Sequence, residues 1–305
     1  MIGRLRQAAH NRRIRIVAAV LVISLTLGLF AYYLTTRPDT LSTVLSLDAG
    51  QLLLLTLAYV GTVAANGFVL WASLRLLKKP VRFIENVALT GSSSVVNFFG
   101  PLQSGPGFRA VYLKQRHGVS LKGFFGATLL FYGFFAAVNA AVIAVAAVMA
   151  PPASEIPPLV LVAIVAISLV VALLALRIPR LSAALRTVKL ANVNTWYIFL
   201  GAAALSAATA AAYFVELTHV DPSITIGQAV VYAAAANLAL FVSLTPGAIG
   251  FRESFLLLSQ QLHGIAPDTV IAASIIDRAF YVVFLLVMFA LLLLVGARSR
   301  LRRND

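Results

Sequence analysis

Four charged residues lie where the surrounding sequence is apolar enough to be buried in a lipid bilayer. Arg252 and Glu253 follow a run of glycine and proline, and Asp277 and Arg278 lie inside the last apolar stretch of the chain. A charge at the centre of a bilayer costs at least about 2.5–3.5 kcal/mol on insertion scales, so it needs a partner or a wet cavity. These residues are therefore the first candidates for a functional site.

Arg252 opens a short segment, residues 253–262, that we expect to form a helix. The first N–H groups of a helix have no partner within it, and that end carries partial positive charge. An arginine beside such an end is a natural binding site for phosphate. The tripeptide Gly-Phe-Arg that ends at Arg252 also ends at Arg109, so both arginines are predicted to bind an anionic group from opposite sides.

The same charges also permit a structural interpretation. Arg252 could pair with Asp277, and Glu253 with Arg278, between the short segment and the last apolar stretch. An ion pair in such a place can still open and close, so Glu253, Asp277 and Arg278 are predicted to act in gating or coupling. Asp277 and Glu253 are also able to exchange protons.

Two of eight apolar stretches contain residues that break helices, and in lipid such backbone survives only inside protein or beside water. These stretches are residues 86–108 and 222–251, and the predicted backbone breaks within them are Pro101, Gly105, Pro106, Gly107, Pro246, Gly247 and Gly250. Each stretch also carries an asparagine, Asn97 or Asn237, that we expect to line a cavity and to bind substrate. The alternative is that these amides cap broken backbone.

The other six stretches are each long enough to cross a bilayer, which takes about 20 apolar residues. They are residues 16–36, 49–74, 123–154, 156–176, 190–215 and 269–297. If the two broken stretches are re-entrant hairpins, nearly all of the 24 Lys and Arg residues fall on one side together with both termini. The positive-inside rule identifies that side as the cytoplasm, and this topology places Glu216 in an external segment.

The two halves of the chain resemble each other. Gly-Phe-Arg at residues 107–109 recurs at 250–252, and His-Gly at residues 117–118 recurs at 263–264. Each half then holds three spans and one hairpin. Because three is odd, the second half must be inverted relative to the first, as in many secondary transporters.

The composition indicates a membrane protein and argues against several other classes. Hydrophobic residues make up 61% of the chain and charged residues 11%, against about 25% charged in soluble domains. The net charge of +14 is explained by cytoplasmic loops and anionic headgroups rather than by nucleic acid. There is no cysteine, the four histidines lack metal-ligand spacing, and nucleotide-binding and hydrolase motifs are absent. We therefore predict no metal, no cofactor and no enzyme activity.

Two segments carry a family resemblance. Residues 97–123 read NFFGPLQSGPGFRAVYLKQRHGVSLKG, and residues 243–278 contain Pro-Gly-x-x-Gly-x-Arg-Glu, then a His-Gly turn and a charged last span. Together they resemble the lysylphosphatidylglycerol synthase transmembrane family, also called the flippase-like domain family. The resemblance implies movement of lipids or lipid-linked intermediates between leaflets. Two-part members carry a soluble aminoacyl-transferase domain after the membrane region; this chain has no residues for it, so synthesis of lysyl-lipid is not expected.

These observations predict an all-α polytopic membrane protein with six full transmembrane helices and two re-entrant broken-helix hairpins in an inverted repeat. Residues 1–305 form one membrane domain, with repeats at approximately 14–150 and 157–297. The predicted function is translocation of an anionic phospholipid or lipid-linked intermediate between leaflets of a bacterial or archaeal cell membrane. The alternatives are a non-transporting accessory protein of cell-envelope or isoprenoid-lipid synthesis and a small-solute secondary transporter. The expected partners are membrane lipids and, in the accessory role, a lipid-modifying membrane enzyme.

Overall fold

The computed structural model describes residues 46–99, 104–149, 192–241 and 251–301. The helices in these ranges are α1 (Ala49–Leu76), α2 (Phe83–Phe99), α3 (Gly105–His117), α4 (Leu121–Met149), α5 (Val193–Val220), α6 (Ile226–Ala239), α7 (Phe251–Leu258), α8 (Gln260–His263) and α9 (Pro267–Leu301). No strand occurs in the described ranges, and the all-α class predicted from the sequence is confirmed.

Four of these helices are long and apolar enough to cross a membrane. They are α1, α4, α5 and α9, and they overlap most of the predicted spans at residues 49–74, 123–154, 190–215 and 269–297. The predicted spans at residues 16–36 and 156–176 lie outside the described residues. The multi-span architecture is therefore confirmed in its coarser form, and the number of six spans stays a prediction.

The outer faces of the long helices are apolar and exposed, as contact with lipid requires. Leu53 and Leu57 of α1 are 59% and 56% exposed, and Leu291 and Leu294 of α9 are 56% and 61% exposed. In water such continuous apolar faces would need another protein surface to cover them. Acyl chains cover them in a membrane, so the polar residues that the helices enclose stand apart from this outer surface.

Capping side chains determine where two of the helices begin. The backbone N–H of Gln51 donates to the side chain of Asp48 at 2.8 Å, and the Gln51 side chain accepts from the Asp48 N–H at 3.1 Å. This reciprocal arrangement is a capping box, which satisfies two N–H groups that a helix leaves unpaired. Thr225 and Gln228 form the same box before α6. The first box places the start of α1 at the residue where the predicted span begins.

Two short helices occur at each predicted hairpin among the described residues, and the second helix of each pair extends beyond the predicted stretch. In the first, α2 and α3 contain 17 and 13 residues, and in the second, α6 and α7 contain 14 and 8. At about 1.5 Å per residue these helices are shorter than the hydrocarbon core, which is about 30 Å thick. Paired short helices are what a hairpin needs, while the re-entrant path itself stays a prediction.

Three of the backbone breaks predicted in the first hairpin lie inside a helix. Helix α3 begins at Gly105 with proline in its first turn, so Gly105, Pro106 and Gly107 belong to the helix rather than to the break. Proline is tolerated there because its missing N–H would have no partner in the first turn. Pro101 lies outside the described residues, as do residues 242–250, which hold the other predicted breaks Pro246, Gly247 and Gly250.

Contacts among the helices repeat between the two halves of the chain. Helix α1 packs along α5, the counterpart in the other half, in the most extensive helix contact of the described residues. Helix α2 packs against α9, and α6 correspondingly packs against α4. Helices α3 and α8 both end at a glycine with positive φ, 61° at Gly118 and 67° at Gly264. A two-fold relation between the halves would produce this pattern, and its inversion across the membrane stays a prediction.

A carboxylate joins the start of α2 to the end of α3. Glu85, near the start of α2, accepts a hydrogen bond from the Tyr112 hydroxyl at 2.6 Å and lies 2.7 Å from Nε2 of His117. Burial alone would raise the pKa of Glu85, but the hydrogen bonds from Tyr112 and His117 outweigh it and lower that pKa. The start of α2 is therefore held to the end of α3 by a charged acceptor.

The opposite end of the α2–α3 pair depends on Gly105, and we expect Gly105→Ala to destabilise the protein. A Cβ on Gly105 would lie 2.7 Å from the carbonyl oxygen of Ser93, whereas one on Gly107 would meet nothing within 4 Å. Both changes gain up to about 1 kcal/mol of helix propensity, so Gly107→Ala is the matched control. Thermal unfolding of both variants in one detergent measures the difference. Equal melting temperatures would contradict the close approach of α3 to α2.

Candidate functional site

The four charges predicted at membrane depth come together between α7 and α9. Arg252, the second residue of α7, places Nη2 2.5 Å from Oδ2 of Asp277 on α9, and each of the two residues is only 7% exposed. Nη1 of Arg252 donates to the hydroxyl of Tyr213 on α5 at 3.0 Å. The structural ion pair that the sequence left as an alternative is therefore present.

The second predicted pair is also formed. Nε and Nη2 of Arg278 donate to the same oxygen of Glu253, Oε1, at 3.0 and 2.6 Å. Nη2 of Arg252 lies 3.7 Å from that oxygen, so the carboxylate stands between two guanidinium groups. These two arginines and the carboxylates of Glu253 and Asp277 balance one another in charge.

A third carboxyl group, Glu216 of α5, belongs to the same cluster, and its predicted external position is wrong. Helix α5 continues to Val220, so Glu216 lies one turn inside the helix, and it is 0% exposed. The hydroxyl oxygen of Tyr59 on α1 lies 2.9 Å from Oε1 of Glu216 and 2.6 Å from Oδ1 of Asp277. The predicted span ended at the first charge it met, whereas a helix of 28 residues extends past that charge.

Arg109 has a different environment from Arg252. It is the fifth residue of α3, half-buried, and its Nε donates to the hydroxyl of Ser93 on α2 at 2.5 Å. None of the ion pairs in the described part of the chain includes Arg109. The two Gly-Phe-Arg sequences therefore place one arginine against carboxylates and the other against a neutral hydroxyl.

The two predicted asparagines line a cavity and also bind neighbouring groups. Oδ1 of Asn97 accepts the backbone N–H of Gly105 at 3.3 Å, which satisfies a donor at the start of α3. Nδ2 of Asn237 donates to Oδ1 of Asn139 and to the hydroxyl of Thr209, each at 3.0 Å. Asn139 was not singled out from the sequence, where the only signal is an amide inside an apolar span.

The charged residues and the asparagines line two adjoining cavities. The larger has a volume of about 250 Å³, and its lining includes Arg252, Asp277 and Asn237. The smaller has a volume of about 120 Å³, and its lining includes Arg109 and Ser93. Five residues line both cavities, namely Asn66, Asn97, Phe131, Tyr132 and Tyr281.

Helix α1 borders both cavities along one face. Tyr59 and Thr62 line the larger cavity, Ser73 lines the smaller, and Asn66 lines both. From Tyr59 to Ser73 the helix rises by about 20 Å at 1.5 Å per residue, which is much of the roughly 30 Å hydrocarbon core. Polar and apolar side chains alternate along this face, because Val69 and Leu70 lie between Asn66 and Ser73 in the same lining.

The chemistry of the smaller cavity suits an anion with several acceptor oxygens. A guanidinium offers five N–H donors in a planar fork that matches phosphate and carboxylate. The hydroxyls of Ser73, Ser94 and Thr128 line the same space, but each donates its hydrogen to a backbone carbonyl of its own helix. The amide of Asn66 also lines this space and donates one of its two hydrogens to the carbonyl of Thr62, so the other can bind an anion. The larger cavity differs because its guanidinium groups already contact carboxylates.

Comparison with known protein families gives one match that extends over most of the chain. A protein-family model described as the lysylphosphatidylglycerol synthase TM region matches residues 16–288. No curated protein matches the chain significantly. The matched range contains both Gly-Phe-Arg sequences and the whole of the charged cluster.

Breaking the buried ion pair is expected to destabilise the protein. Asp277→Asn leaves Arg252 without its closest counter-charge, and removing one member of a buried pair costs about 3–5 kcal/mol. Arg252→Gln leaves Asp277 in the same condition, so the double variant should be more stable than the sum of the single losses implies, by at least about 0.5 kcal/mol.

Thermal unfolding of the parent, both single variants and the double variant in detergent measures this coupling. Asp268→Asn is the matched control, because Asp268 is an exposed acid in the first turn of the same helix. Losses that simply add would show that the two side chains do not depend on each other.

Proposed function

Because the chain belongs to the family of the lysylphosphatidylglycerol synthase transmembrane region, we propose that it moves an anionic phospholipid or lipid-linked intermediate between the leaflets of a membrane. The coarser statement, that it is a membrane protein of this family, rests on the match and on the apolar helices. The proposal adds a substrate class and a route. It includes no covalent step, so the chain acts as a translocator rather than an enzyme.

Arg109 is the observation that carries the proposal. Its guanidinium is half-buried in a cavity and contacts the neutral hydroxyl of Ser93, with no carboxylate within 4 Å in the described residues. A charge in such a place is costly unless something compensates it. An anionic headgroup would supply the missing negative charge, and its oxygens would accept hydrogen bonds from the guanidinium and from the amide of Asn66.

The size of the cavities supports a route for the headgroup alone. Their volumes of about 250 and 120 Å³ are small beside the 300–1,000 Å³ that drug-sized ligands occupy. A phospholipid with two acyl chains is larger still. The proposed substrate therefore passes its phosphate group along the face of α1 that lines both cavities, while its acyl chains remain in the surrounding lipid.

In this proposal Arg252 is the second binding site for the headgroup. It lies beside the larger cavity, and its partners Asp277 and Tyr213 line the same space. A phosphate that reaches Arg252 must compete with Asp277 for the guanidinium. Opening of that pair is the proposed gate, and the ion pair of Glu253 with Arg278 keeps the charge of the second arginine compensated during the exchange.

We further propose that the chain resides in a bacterial or archaeal cell membrane with both termini in the cytoplasm. The basic clusters support this orientation, since the two-hairpin topology collects nearly all of the 24 Lys and Arg residues on one side. In the same topology the two hairpins enter from opposite faces. In that arrangement Arg109 would bind headgroups from one leaflet and Arg252 headgroups from the other.

Replacing Arg109 is expected to slow lipid movement. Arg109→Gln removes a charge-assisted contact to phosphate, which is worth about 1.5–3 kcal/mol, so the rate should fall about tenfold to a hundredfold. The assay reconstitutes the protein in liposomes with a fluorescent phosphatidylglycerol and measures loss of fluorescence to a reductant that cannot cross the bilayer.

Lys114→Gln is the matched control, because Lys114 lies on the same helix, is exposed, and loses the same charge. Equal rates for Arg109→Gln and the parent would refute the proposed role of Arg109. A parent protein that binds the lipid without moving it would favour the accessory alternative. Movement of a water-soluble phosphate ester but not of lipid would favour the small-solute transporter.

A further inference from the structure

Glu216 is a buried carboxyl group that the proposed route does not use. It is 0% exposed, and its Oε2 has no hydrogen-bond partner among the described residues. No cation lies within 4 Å of it in the described part of the chain. An ionised carboxylate in such a place would have neither a counter-charge nor a full set of donors, and that is strongly unfavourable.

The two contacts of the Tyr59 hydroxyl indicate which carboxyl group in the cluster carries a proton. Its hydroxyl oxygen lies within hydrogen-bond distance of both Glu216 and Asp277, but a phenol has one hydrogen to donate. The other contact therefore needs a hydrogen from a carboxyl group. Asp277 contacts the guanidinium of Arg252 and Glu216 contacts no cation within the described ranges, so the geometry assigns the carboxyl hydrogen to Glu216, which then donates to Tyr59 while Tyr59 donates to Asp277.

The balance of charge gives the same result. The other titratable groups that face Glu216 are Arg252 of α7, Tyr213 of its own helix and Tyr232 of α6. With Glu216 protonated and the tyrosines neutral, the two arginines of the cluster balance the carboxylates of Asp277 and Glu253. With Glu216 ionised, the cluster would carry one uncompensated negative charge away from water.

We propose that Glu216 is a proton-binding site and that Tyr59 connects it to Asp277, so that a proton reaches Asp277 when an anionic headgroup takes Arg252. The second part of this inference rests on the proposed function. The Tyr59 hydrogen moves to Oδ1 of Asp277, the Glu216 hydrogen moves to the Tyr59 oxygen, and a proton taken up from bulk solution through the larger cavity, which Tyr59 lines, restores Glu216. The cluster gains one proton together with one phosphate negative charge, and its net charge stays unchanged.

Infrared spectroscopy of the purified protein tests the proton site without any lipid movement. The parent should show the C=O stretch of a protonated carboxyl group at neutral pH, shifted by deuterium oxide. This band should be missing in Glu216→Gln and present in Glu85→Gln, the control, because the Glu85 carboxylate already accepts from Tyr112 and His117. A band that persists unchanged in Glu216→Gln overturns the proposal.

A second variant, Tyr59→Phe, tests the proton site even if Glu216→Gln does not fold. Tyr59→Phe keeps the carboxyl group but removes the oxygen to which it donates, so the band should remain and move to higher frequency. An unmoved band in Tyr59→Phe would show that Glu216 does not bind Tyr59, which also overturns the proposal.

The pH dependence of lipid movement separates this inference from the proposed function. The parent should lose its rate as the pH rises through the range in which the carboxyl band disappears, and Glu216→Gln should show no such loss. Identical pH profiles would overturn the proton relay and leave lipid movement standing. A parent that shows the band but moves no lipid would refute the proposed function and leave the proton site standing.

Discussion

The contact between Arg252 and Asp277 is the interaction on which the arrangement of the second half depends. A guanidinium away from water is tolerated only beside negative charge, and Asp277 supplies that charge from α9. Helix α7 has eight residues, too few to be stable by itself, since isolated helices below about 12–15 residues are marginal. The ion pair and the hydrogen bond to Tyr213 therefore hold α7 against α9 and α5.

The first half has the same helices with a different distribution of charge. Under the shift that aligns His117 with His263, the positions of Asp277 and Arg278 correspond to Phe131 and Tyr132. The first half therefore has an arginine in its Gly-Phe-Arg sequence, as the second half does, and aromatic rings where the second half has an aspartate and an arginine. This difference explains in physical terms why Arg109 contacts a serine while Arg252 contacts carboxylates.

Much of the fold follows from the sequence, because apolar length and capping residues are local properties. Asp48 marks the start of α1, and the pairing of Glu253 with Arg278 follows from the need of buried charges for partners. Residues whose roles depend on packing could not be found in this way. Tyr59 looks like an ordinary aromatic residue of a span, and only the crossing of α1 with α5 and α9 brings its hydroxyl between two carboxyl groups.

The position of a helix end limits prediction more strongly than its existence. The sequence of the first hairpin suggested a break as far as Gly107, whereas the helix already begins at Gly105. In α5 the same uncertainty changed the predicted location of a residue. The helix extends one turn further than predicted, so Glu216 lies in the cluster and not in an external segment. Charges near the end of a predicted span therefore need a three-dimensional context before they can be assigned.

The small volume of the two cavities has a consequence for the range of lipids in the proposed transport. Cells adjust the length and unsaturation of their fatty acids to temperature, and a protein that enclosed whole lipids would have to accommodate every such variant. A passage that admits only the phosphate end is indifferent to those adjustments. Selectivity would then reside in headgroup chemistry, and one protein would serve a membrane whose fatty acid composition changes with growth conditions.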